Sequence, residues 1–340
     1  MEFDAFALQL DMAEHRQQVL RFFSGVLCVD ELHLGKFTLL LATDPIGDFP
    51  VAFALVSAND KEHMERFLRN LHHNGLKPKV VVTDGSTLYP ALLAALWPQA
   101  EHQLCVFHVM QDLNKLILDA VRRLRTRLGR QGRKGRRRRR GRPTKAEKRR
   151  CARQGRSLKE KSKFVFKHRH LIVKRWDNMS EQDKKNLKTM LEYLPALRSL
   201  RRFTDKLHQL FEPEQSEHQA WCRWRGLQHS AEFLAIPELK QALASLEEAK
   251  FAKMIAFLRG PAWRRRWIRT NNHVERCNRK LRYWEKVRYK WRRRRTLVRF
   301  IVLALDRWWH EMFLPTSQLH QPCEKHDTRK PESLPKTKAA

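Results

Sequence analysis

Val26-Leu27-Cys28-Val29-Asp30-Glu31 and Val80-Val81-Val82-Thr83-Asp84-Gly85-Ser86 are two apolar runs, each ending in a carboxylate. An acid at the end of a buried strand is costly to desolvate unless it faces solvent or meets a cation. A third acid lies far downstream, in Thr270-Asn271-Asn272-His273-Val274-Glu275-Arg276-Cys277-Asn278-Arg279. Two carboxylates on neighbouring strands, joined by one from a helix, suit hard divalent cations such as Mg²⁺ and could hold a pair of them.

The segments around these runs predict the fold. Val26–Leu32 and Phe37–Thr43 flank Gly35-Lys36, a hairpin signal. Asp44–Asp48 reads as a turn and Val51–Val56 as a third strand. Asn59-Asp60 is placed to cap a helix that runs to His73 and stops at Asn74-Gly75. Lys79–Thr83 gives a fourth strand, followed by a helix to Leu96, a short strand over His102–Val106 and a helix from Phe107 to Leu128. That order is the order of an RNase H-like α/β fold, a mixed sheet flanked by helices. Residues 1–24 read as a helical lead-in and 25–118 as the first part of the catalytic core. Residues 119–262 read as a basic, mainly helical insertion, 263–313 as one long C-terminal helix from about Asn272 to Phe313, and 314–340 as a disordered tail.

Charge placement names the partner. The 340 residues carry a net charge of +34. Residues 121–170 hold 24 Lys and Arg against 2 acids, and residues 261–300 hold 16 against 2. The remainder is close to neutral. Solubility does not need such clustering; contact with a phosphate backbone does. The Arg/Gly tract 129–142 has almost no apolar content with which to pack and is expected to be disordered without nucleic acid. Within it, Arg140-Gly141-Arg142-Pro143 resembles an AT-hook core. Arg264, Arg265 and Arg266 stand between Trp263 and Trp267, and Arg292, Arg293, Arg294 and Arg295 follow Trp291. These arginines, with Arg276 and Arg279 beside Glu275, are the expected DNA contacts. The six cysteines show no Cys-x-x-Cys pair, so neither a zinc ribbon nor a disulfide framework is indicated. No run is apolar enough to span a membrane. A cytoplasmic, nucleoid-associated protein is expected.

Each acid also has a plainer reading. Asp84 suits a turn before Gly85. Glu275 fits the third position of a capping box with Asn272 as N-cap. Asp30 competes with Glu31, on the opposite strand face, and with Asp44, before Pro45. The three together are harder to explain this way than any one alone.

Val29-Asp30-Glu31, Val82-Thr83-Asp84-Gly85-Ser86, Cys105-Val106-Phe107-His108 and the Asn271–Arg279 run resemble insertion-sequence transposases of the DDE class, with a Mutator-like flavour in the C-x-x-H element. The resemblance covers about 25–118 and 263–312. It implies that Asp30, Asp84 and Glu275 bind Mg²⁺ or Mn²⁺, cut DNA at the element ends and join the freed 3′-hydroxyl to target DNA, with copies of the chain assembling on DNA. Cys105 and His108 are possible auxiliary residues, since two side chains cannot complete a zinc site. Such transposases usually carry a DNA-binding region before the first Asp, and only 29 residues precede Asp30 here. A truncated copy, a fragment of a longer reading frame or a variant relying on other basic regions is expected. The rival readings are another RNase H-like metal-dependent nuclease and a non-enzymatic DNA-binding remnant. Trp221 and Trp224, inside the insertion, are expected to be core residues.

Overall fold

The structure is a computed structural model that describes residues 12–58, 60–134, 144–287 and 293–313. After helix α1 (Met12–Phe22) come strands β1 (Val26–Leu34), β2 (Phe37–Asp44) and β3 (Phe49–Val56). Helix α2 (Lys61–His73), β4 (Val80–Thr83), α3 (Tyr89–Leu96) and β5 (Glu101–Leu104) follow. The sheet order is β3-β2-β1-β4-β5. The first three strands are antiparallel, and β4 and β5 join parallel to β1. This is the mixed sheet of an RNase H-like fold.

Alternation along the strands sorts side chains into two cores. Leu27, Val29, Leu40, Ala42 and Val81 pack with Met64 and Leu68 of α2 and with Tyr89 and Leu93 of α3. Cys28, Leu32, Leu39, Leu41 and Val82 face the other way, toward α4 (Val106–Lys134) and the C-terminal helices. Asp30 shares the parity of Cys28 and Leu32 and therefore belongs to that second face. Gly35, with φ 61°, makes the tight turn between β1 and β2.

Beyond α4, helix α5 (Lys145–His168) returns alongside it. The rest of the excursion is α6 (Glu181–Tyr193), α7 (Leu197–Leu210), α8 (Glu217–Gln228), α9 (Ala231–Leu234), α10 (Pro237–Ser245) and α11 (Glu248–Met254). Trp221 and Trp224 pack there with Phe251. Buried Gln103 on β5 fastens this unit to the sheet. Its amide donates to Met254 O at 2.9 Å, and its carbonyl accepts from Phe257 N at 2.7 Å.

Two expectations are corrected. Helix α4 does not stop at Leu128; it continues through Gly129 to Lys134, taking in the first six residues of the Arg/Gly tract. Residues 135–143, with Arg140 and Arg142, lie outside the described residues. The single helix over 272–313 is two helices, α13 (Asn272–Val287) and α14 (Arg294–Phe313). Arg292 and the tail 314–340 also lie outside the described residues. Between the excursion and α13 stands the short helix α12 (Ala262–Ile268).

Candidate active site

Helix α13 approaches the sheet through Asn271, which is fully buried. The Asn271 amide donates to Val29 O at 3.1 Å, and its backbone N–H donates to Cys105 Sγ at 3.2 Å. Close by, Val106 N donates to Arg269 O and Cys105 N donates to Thr83 O. The middle of β1, the end of β4, the start of α4 and the start of α13 are thus stitched at one point. Cys105 is a buried acceptor in that stitch, and burial pushes its thiol above the ordinary range.

The helix begins one residue earlier than a capping box on Asn272 would require. Asn272 is its first residue, and Glu275 N donates to Asn271 O. Asn271 sits at the N-cap position, but its side chain is drawn to β1. Glu275 consequently faces the sheet side. One turn on, the Asn278 amide donates to Asp30 Oδ2 at 2.9 Å.

Asp30 and Glu275 are therefore brought together. Burial pushes Asp30 up to about 7, and the carboxylates of Glu31 and Glu275 push in the same direction. The N–H of Glu31 and the Asn278 amide favour the ionised form and oppose that rise. Asp84 begins the loop after β4, where its Oδ1 accepts from Ser86 N at 2.9 Å. Burial, and then the charges of Glu31, Asp84 and Asp30, pushes the Tyr89 hydroxyl up. Among the described residues, no three His, Cys, Asp or Glu side chains are gathered closely enough to hold a metal ion. The side-chain contact that Asp84 makes is local, to the loop that follows β4.

The donor chemistry nevertheless fits a hard divalent cation. Glu275 Oε1, Asn271 Oδ1 and Asn278 Oδ1 are buried oxygens without a hydrogen-bond partner. All three belong to residues that act on Asp30 or its strand. Buried acceptors without donors are costly, and a cation offsets that cost. His108 Nε2 lies 3.5 Å from Glu275 Oε1, close enough for an ion pair but too long for a good hydrogen bond.

A second contact holds the same helix from the opposite end of the sheet's hairpin. His273 Nδ1 meets Thr43 Oγ1 at 2.8 Å, and His273 Nε2 meets Asp48 Oδ1 at 2.7 Å. Asp48 adopts a φ of 57°, and Arg276 donates to it as well. Burial lowers His273 below the usual imidazole range. Sequence reasoning quoted Asn271, His273 and Asn278 without giving them roles. The three-residue step from Glu275 to Asn278 was the available signal, since such residues share a helix face.

The expected DNA-contacting arginines divide by what already holds them. Arg265 donates to Gly260 O, Pro213 O and Gln215 O at 2.9–3.1 Å. Arg264 is half-buried, with its Nε unpartnered. Arg266 is exposed and pairs with Glu214 at 2.6 Å. Arg294 does not share a helix with Glu275; it donates to Leu55 O on edge strand β3 at 3.0 Å. Arg279, Arg293 and Arg295 are exposed and have no ion pair among the described residues.

No helix among the described residues is long and apolar enough to cross a membrane. No curated protein matches the chain. A transposase profile, that of the ISL3 group of the DDE class, matches residues 27–301 and so spans both halves of the sheet-and-helix site. It implies DNA as the partner, in a family that generally uses divalent metals, and it carries nothing specific to the Mutator-like group. The chain belongs to the ISL3 family of DDE transposases.

Proposed function

We propose that the chain cuts DNA at the ends of a mobile element and joins the freed 3′-hydroxyls to target DNA, with Asp30, Asp84 and Glu275 holding Mg²⁺ or Mn²⁺. The observation that carries this reading is the set of partnerless buried oxygens on Asn271, Glu275 and Asn278, with the Glu275 carboxylate acting on Asp30. When bound, the cations would activate the attacking oxygen and stabilise the leaving one.

The chain's own residues set up that chemistry. The Asn278 amide orients Asp30 and favours its charged form. Asn271 fixes the middle of β1 against the start of α13. His108 faces Glu275 from α4 at 3.5 Å. Arg279, exposed on the flank of α13, offers its guanidinium group to the phosphates beside the cut, and Arg276 does so in exchange for its pair with Asp48. The protein would act in the cytoplasm on nucleoid DNA, as a homo-oligomer that pairs two ends.

Replacing Asp84 by Asn keeps size and removes a negative ligand. Mg²⁺-dependent cleavage of an element-end duplex should be lost while duplex binding persists. Equal cleavage by wild type and Asp84→Asn would reject the assignment.

A further inference from the structure

Trp263 and Trp267 are 65% and 51% exposed. They lie four positions apart on α12, so their indoles share one face of the helix. The other tryptophans among the described residues are accounted for. Trp97, Trp308 and Trp309 are buried, while Trp221, Trp224 and Trp284 pack on the core. Trp176 is exposed but lies beneath Lys184 and Arg201. Trp263 and Trp267 have no ring contact and no cation over them among the described residues.

Loose docking of α12 does not explain this exposure. Ile268 is fully buried, and Arg265 and Arg269 anchor the helix to carbonyls of residues 211, 213, 215 and 260. The indoles are held out by a fixed helix. Three residues after it, Asn271 touches the backbone beside Asp30. The surrounding run, 261–300, is strongly cationic.

We infer that Trp263 and Trp267 form a stacking platform for unpaired bases of the DNA strand that enters the Asp30–Glu275 site. An aromatic surface set in positive charge fits a single strand, whose bases expose their faces and whose phosphates need cations. Duplex bases hide those faces. Arg266, exposed between the two indoles in sequence and held by a single exposed ion pair with Glu214, is a cation for which a phosphate can compete. This inference rests on the DNA-cleaving reading of the site and adds to it a place for strand-separated DNA.

The test uses the full chain with labelled oligonucleotides, single-stranded and duplex, and compares wild type with Trp263→Ala/Trp267→Ala and Trp263→Phe/Trp267→Phe. Stacking contributes about fivefold or more in affinity per base. The alanine pair should therefore lose about 30-fold or more on single strands and little on duplex, and the phenylalanine pair should recover most of the loss. Equal losses on both substrates would overturn the platform. So would unchanged single-strand binding, or a loss of self-association without a loss of single-strand affinity. If the wild type binds and cleaves DNA while the alanine pair is unaffected, only this inference fails. If the wild type binds no DNA, the proposed function fails with it.

Discussion

Asn278 Nδ2 donates to Asp30 Oδ2 at 2.9 Å, joining residues 248 positions apart. The contact places the third carboxylate, one turn earlier on the same helix, beside the first. Removing the amide should disturb the ligand rather than the fold. Asn278→Ala is expected to lower cleavage by about 10–100-fold and to raise the Mg²⁺ concentration needed for half-maximal rate. An unchanged Mg²⁺ dependence would remove Asn278 from the site.

Asp30 gives a pH dependence with a definite sign. Burial, then the neighbouring carboxylates, raises it to about 7 in the folded chain. The folded state therefore holds a proton that the unfolded state has released, and stability declines as pH rises from the ordinary Asp range through about 7. The full loss is at most about 4 kcal/mol. In chelator, Asp30→Asn should be more stable than wild type at about pH 8 and nearly equal at about pH 4, as read by urea unfolding. A constant difference across that range would refute the shift.

Cys105 predicts a contrast between two small replacements. Its sulfur accepts the Asn271 N–H at the junction of β1 and α13. Cys105→Ala leaves that buried donor unsatisfied and should cost about 1–3 kcal/mol. Cys105→Ser keeps an acceptor and should cost less. Equal losses in denaturant titrations would mean that packing alone matters there.

Arg265 and Arg266 are neighbours in sequence with different duties. Arg265→Ala removes a cation shared by three carbonyls and should destabilise the protein by about 2 kcal/mol or more. Arg266 makes one exposed ion pair, and Arg266→Ala should change stability by less than about 1 kcal/mol. Any loss of DNA affinity is then easier to interpret for Arg266. Thermal melts of the two variants separate these roles.

Residues 144–150 and 152–154, at the start of helix α5, are exposed, and Lys148, Arg149 and Arg153 have no ion pair among the described residues. By contrast, Arg123, Arg175 and Arg259 in the excursion pair with Glu238, Glu212 and Glu217. Unpaired cations are free to meet phosphates. Replacing the three α5 residues by Ala should flatten the log–log salt dependence of duplex binding by about 2–3 units, roughly −0.9 per phosphate. An unchanged slope would make this end of α5 a solvated spacer.

Period-two burial made the strands and the facing of Asp30 legible from sequence, because Cys28 and Leu32 announce one face and Leu27 and Val29 the other. Turn residues marked the hairpin at Gly35. Local patterns failed where a distant partner decides. Leu128 is buried and α4 tolerates Gly129, whose cost in a helix is about 1 kcal/mol, so the helix runs past the apparent stop. Helical periodicity also ran through Arg293, which stands outside both helices. The start of α13 moved by one residue because the Asn271 side chain reaches Val29 instead of capping its own helix. The Asp48–His273 contact spans 225 positions and leaves no nearby trace.

The hydrogen bond from Val106 N to Arg269 O closes the whole excursion into a loop whose two ends meet beside the acids. Contacts so far apart in sequence are slow to form, because the chain must lose loop entropy before they stabilise it. The helices between them can pack on neighbours close in sequence and need not wait. During synthesis, β1 and β4 emerge early with Asp30 and Asp84, while Asn271, Glu275 and Asn278 are still unmade. The acidic face is assembled by the last third of the polypeptide, so an unfinished chain on the ribosome carries the strands of the site without the helix that completes it.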